Sequence, residues 1–76
     1  MFTVEDLEKT TRETFASHRE YFTLKFAEVD GVWSWQVVTE KWVALNKDKA
    51  TCIKKALHRS EYLQEVAAKL QEAQNA

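Results

Sequence analysis

Apolar and polar positions alternate twice in the first half of this chain. Tyr21 to Val29 and Val32 to Thr39 both show the two-residue period of a strand. Asp30-Gly31 lies between them, and Asp-Gly is a preferred pair for a two-residue type I′ hairpin turn. Such a turn sets the register: Val29 opposes Val32, Phe26 opposes Trp35, Leu24 opposes Val37 and Phe22 opposes Thr39. Directly opposed residues share a face. Phe22, Leu24, Phe26, Trp35 and Val37 therefore form the expected core face, with Trp33 and Glu28 nearer the tip. The other face, Tyr21, Thr23, Lys25, Ala27, Ser34, Gln36 and Val38, reads as mostly solvated.

Helical spacing brackets this hairpin. Val4, Leu7, Thr11 and Phe15 make a thin apolar stripe that predicts a helix from Val4 to Phe15, lying on the sheet. Thr3 is its N-cap, Asp6 completes a capping box, and Phe2 with Leu7 forms a hydrophobic staple. Glu5, Asp6 and Glu8 load the first turn with the sign the helix dipole favours. A second helix is expected over Lys47–His58, capped by Asn46 or Asp48, with Ala50, Ile53, Ala56 and Leu57 on its apolar side. A third is expected over Glu61–Ala73, with Ser60 as N-cap and Leu63, Val66, Ala67 and Leu70 facing inward. At about 100° per residue the two stripes point nearly opposite ways, so two helices are favoured over one. Trp42 to Leu45 is readable as a bent continuation of the second strand, a short third strand or a buried connection. The expected fold is a single α+β domain over 1–76 of order α-β-β-α-α, with an antiparallel hairpin packed against helices.

Composition supports this compact reading. The chain has 76 residues, one glycine and no proline, which leaves little room for linkers. One cysteine excludes an internal disulfide, and no Cys/His cluster has zinc-site spacing. Three Trp, four Phe and two Tyr supply the core bulk instead, and a homodimer is the other route by which so small a domain gains burial. The segment Met1-Phe2-Thr3-Val4-Glu5-Asp6 lacks the features of a secretory signal, and no apolar run approaches a membrane span. A cytoplasmic, reducing location with no membrane partner is expected.

Charge is uneven. Residues 1–40 carry 4 basic and 8 acidic side chains, residues 41–59 carry 6 and 1, and residues 60–76 carry 1 and 3. The middle is a basic island: Lys41, Lys47, Lys49, Lys54, Lys55 and Arg59, with His58 beside it. Phosphate binding is one use of a cationic helix face, and solubility is the commoner one. Helix 3 has only Lys69 against three glutamates, a poor recognition helix for DNA.

Catalytic readings find little support. Cys52 and His58 are six residues apart, about 240° around a helix, so they do not share a face. His18 reaches Cys52 only through tertiary folding. One glycine builds no phosphate loop. Glu28 shares a face with Trp33 but is expected to reach water at the hairpin tip. The chain is thus expected to be non-enzymatic, with no cofactor and no metal. The leading reading is a protein-binding module, a small accessory regulator or inhibitor that occupies a partner's surface. The alternative is a nucleic-acid-binding regulator using residues 41–59. The residues singled out for partner binding are Trp33, Trp42, Lys47, Lys54, Lys55, His58 and Arg59. Trp35 is assigned to the core.

Overall fold

The computed structural model describes residues 3–75. Its elements run α1 (Val4–Ser17), β1 (Thr23–Val29), β2 (Val32–Val38), β3 (Val43–Asn46), α2 (Lys49–Arg59) and α3 (Leu63–Asn75). This is the expected α+β order, with the ambiguous Trp42–Leu45 segment resolved as a third strand. The sheet is antiparallel in the order β1-β2-β3.

The hairpin register is the one the turn dictates. Val29 pairs with Val32, Phe26 with Trp35 and Leu24 with Val37. The ladder ends at Thr23–Val38, so Phe22 and Thr39 fall just outside it. Asp30 and Gly31 have φ of 51° and 80°, the left-handed pair a type I′ turn requires. The β2–β3 connection has neither Gly nor Pro. It is held by Thr39, whose hydroxyl donates to the Trp42 carbonyl and accepts from the amides of Lys41 and Trp42.

Caps set the helix ends. The Thr3 hydroxyl accepts from the Asp6 amide while the Asp6 carboxylate accepts from the Thr3 amide, the expected capping box. Phe2, the other half of the expected staple, lies outside the described residues. The helix runs two residues beyond Phe15 and closes in a Schellman pattern: Glu20 N–H donates to Phe15 C=O and Arg19 N–H to Ala16 C=O. That motif places Arg19 at φ 60°, where glycine is usual. Asp48 caps α2 by accepting from Thr51, while Asn46 accepts from the Asp48 amide. Ser60 terminates α2 rather than starting α3: its hydroxyl donates back to Leu57 C=O and accepts from Tyr62 N–H. Helix α3 therefore begins two residues later than expected.

The core lies between the helices and the β2–β3 half of the sheet. Ile53, Cys52, Ala56 and Leu57 of α2 meet Val37 and Ala44, with Leu7 and Phe15 of α1, Phe22 just before β1, and Val66 and Leu70 of α3 completing it. Alanine at 44 and 56 allows close approach of helix and sheet. Helix α1 packs on α2 and α3 instead of lying on the sheet as expected. Two threonines of α1 are buried. Thr11 donates to Leu7 C=O, and Thr14 accepts from Lys69 of α3.

Two of the three left-handed positions, Gly31 and Arg19, give opposite expectations. Apart from its two chain neighbours, nothing lies within 4 Å of where a Cβ at Gly31 would sit, so Gly31→Ala is penalised by backbone strain alone. Its expected cost is about 1 kcal/mol in urea unfolding. Arg19→Gly relieves the same strain and is expected to raise stability by about 0.5–1 kcal/mol.

Candidate protein-binding surface

Helix α2 is about 16 Å long, whereas a seven-residue strand spans about 23 Å. The helices reach β2 and β3 and leave the far part of the hairpin uncovered. Phe26, four residues before the turn, is consequently 50% exposed, and Trp33 is 57% exposed. This corrects the assignment of Phe26 to the core. Its ring stacks on Trp33 at 5.5 Å and tilts against Trp35 at 5.2 Å, giving an aromatic cluster on the inner face. Trp35 is half-buried and packs against the core, as expected. Lys49 sits over its ring at 5.1 Å, anchored by an ion pair of 2.8 Å to Glu8. Glu28 is exposed, as its place at the tip implies.

Trp42 differs from Trp33. It is half-buried against the core, with the Arg59 guanidinium 6.0 Å above its ring. Trp42 also lines a cleft of about 450 Å³ with Phe15, Arg19, Glu20, Arg59 and Tyr62. Tyr62 is stacked on His18 at 4.2 Å, and its hydroxyl donates to Glu20. That bond pushes the Tyr62 pKa up to about 12, away from the range useful for proton transfer at neutral pH. Cations and carboxylates alternate around the cleft, so it presents no single-sign field.

The basic island does not form one patch. Lys55 donates to Leu45 C=O at 3.2 Å and Arg59 to Val43 C=O at 3.1 Å, both on the outer edge of β3. Lys49 is paired with Glu8, and Lys41 is 4.0 Å from Glu20. Lys54 and His58 border a separate apolar groove of about 440 Å³, lined by Leu7, Leu57, Leu63, Val66 and Leu70. Lys47 is exposed within the β3–α2 connection. Of the seven residues singled out from sequence, the structure joins Trp42 and Arg59, and Lys54 and His58, and leaves Trp33 with a neighbour the sequence reading placed inside.

Cys52 is buried, with its sulfur 3.3 Å from Trp35 C=O and 3.4 Å from Ala44 C=O. Burial pushes its thiol pKa up, the reverse of an activated nucleophile. Among the described residues no group of three His, Cys, Asp or Glu side chains is placed to hold a metal. None of the described helices is long and apolar enough to cross a membrane.

Comparison with known proteins returned no match: no family model, no curated protein and no solved structure aligns with this chain. The surface must be read from its own chemistry.

The pairings also set the pH range of stability. Glu8 is held below the usual carboxylate range by Lys49, Glu65 by His18 and then Lys69, Asp48 by Thr51 and Asp6 by Thr3. Depressed folded-state values stabilise above the unfolded pKa of about 4, and this is lost as the pH falls below it. The raised Tyr62 value acts in the other direction. Its contribution is complete below the unfolded value of about 10 and is lost as the pH rises toward 12. Thermal melts are expected to show a plateau that falls on both sides. Tyr62→Phe should remove the tyrosinate absorbance step near pH 12.

Proposed function

We propose that this chain is a non-enzymatic protein-binding module, a small accessory regulator or inhibitor that grips its partner through the uncovered inner face of the hairpin. The observation that carries this reading is the exposed Phe26–Trp33 stack on a rigid two-residue hairpin. Two large rings held in water by the backbone are the kind of anchor that concentrates binding energy in an interface. The division of the basic island between β3 carbonyls, carboxylates and a separate groove favours this reading over the phosphate-binding one. No cofactor is needed for it, and a buried lone thiol suits a reducing compartment such as the cytoplasm.

A tagged chain retained on resin with host lysate, in nuclease-treated and untreated halves, tests the reading. A stoichiometric protein is expected in both halves. Trp33→Ser is expected to weaken its binding by about 30-fold or more, the effect of losing a hot-spot ring. Lys54→Glu with Lys55→Glu is expected to leave it bound. Loss of all bound material on nuclease treatment, or full retention by the Trp33 variant, would refute the proposal.

A further inference from the structure

The two edges of the sheet are finished differently. In a two-residue hairpin the pair flanking the turn exchanges both backbone hydrogen bonds, and every second pair repeats this. Val29, Ala27, Lys25 and Thr23 therefore direct their backbone groups at β2, while Glu28, Phe26, Leu24 and Phe22 direct theirs off the sheet. The same phase carried across β2 points the Val43 and Leu45 carbonyls off the opposite edge. Arg59 and Lys55 occupy those two carbonyls, which supports the assignment and leaves the β3 edge with only its outward amides to offer a further strand. Just before β1 the Phe22 carbonyl is covered, by Arg12 at 3.2 Å. Among the described residues no side chain caps the outward groups of Leu24, Phe26 and Glu28.

From this asymmetry we infer that two copies of the chain pair antiparallel through β1, forming one continuous six-stranded sheet. A molecule with one edge free of side-chain obstruction closes after one pairing, because a two-fold contact uses that edge of both copies and leaves only the obstructed β3 edges outside. Charge selects the register. A two-fold axis at Lys25 would oppose like charges and is disfavoured. An axis at Phe26 places Phe26 opposite Phe26, Leu24 opposite Glu28 and Phe22 opposite Asp30. The acidic hairpin tip of each copy, Glu28 and Asp30, then meets Arg12 at the far end of the other copy's open edge. Arg12 is already held there by Phe22 C=O and by Glu8 at 3.1 Å, and its side chain remains 42% exposed. Moving the axis to Ala27 would set Asp30 opposite Leu24 and lose that match.

Pairing also addresses the exposed aromatics. With Phe26 on the axis, the Trp33 and Phe26 rings of both copies fall on one side of the joined sheet as a single band. The role of that band as the partner's binding surface rests on the protein-binding reading above, whereas the pairing stands on the edge geometry.

Sedimentation equilibrium from micromolar to millimolar concentration tests the pairing. The expected mass is twice the 8.9 kDa of the chain. Phe26→Lys, which sets two cations across the axis, is expected to give the single-chain mass. Arg12→Gln or Asp30→Asn, each removing both symmetry-related charge contacts, is expected to weaken association about tenfold. Amide exchange shows that the variant still folds. In the paired protein the amides of Leu24, Phe26 and Glu28 should be protected together with those of Lys25 and Ala27. In Phe26→Lys the first set should exchange freely while the second stays protected. A single-chain mass at millimolar concentration, assemblies larger than two, or a folded Phe26→Lys that still pairs would overturn the inference. A monomer that still captures a nuclease-resistant protein through Trp33 overturns the pairing and leaves the protein-binding reading standing. A dimer that captures none does the reverse.

Discussion

Two consecutive left-handed residues, Asp30 and Gly31, carry more of this structure than their place at the surface suggests. A type I′ turn admits one register, and in a strand a slip of one residue would exchange the two faces. That register puts Val37 and Trp35 on the helix side with Leu24 and Phe26. It also decides which backbone groups of β1 and β2 look inward, and hence which carbonyls of β3 are left for Lys55 and Arg59. The core, the outer faces and both edges follow from one pair of dihedral angles.

The second determinant is where α2 can sit. Ile53 and Cys52 are fully buried against Val37 and Ala44, and Ala56 lets the helix approach closely. This contact is centred on β2 and β3, so the helix layer is offset from the middle of the sheet. A helix of 11 residues centred there cannot also cover the end of a hairpin whose strands have seven residues each. The exposure of Phe26 and Trp33 is therefore a geometric result of the offset. The hairpin's ladder hydrogen bonds keep the two rings in place where the helices do not.

The elements legible in the sequence were those with a local physical signature. Thr3 and Asp6 announce a helix start, Asp30-Gly31 announces a turn, and opposed stripes separate α2 from α3. Strand β3 was ambiguous because it has four residues and its turn is built by the Thr39 hydroxyl, which leaves no Gly or Pro to mark it. Ser60 resembles an N-cap in the sequence because Ser before an acidic residue has that pattern. Its hydroxyl instead serves the end of α2, and both uses look alike in a sequence. Phe26 was misplaced for a different reason: alternation reports which face a residue is on, but not how far along that face the covering helices extend. The basic island is visible as composition, yet its division between the β3 edge, acidic side chains and a groove is a tertiary fact.

That division changes what the lysines and arginines of α2 mean. In a sequence they resemble a phosphate-binding face. In the fold, Lys55 and Arg59 are one helical turn apart on α2 and reach across to carbonyls of alternate β3 residues, Leu45 and Val43. The fit follows from two repeats: about 6 Å along a helix for four residues and about 6.6 Å along a strand for two. Two cations spaced i, i+4 can thus serve two outward carbonyls spaced i, i+2 on a strand running alongside. The match occupies two carbonyls that an added strand would otherwise use, and it does so without proline or a bulge. It leaves the two edges unlike: on β3 both outward carbonyls are taken, whereas among the described residues no side chain takes those of Leu24, Phe26 and Glu28 on β1.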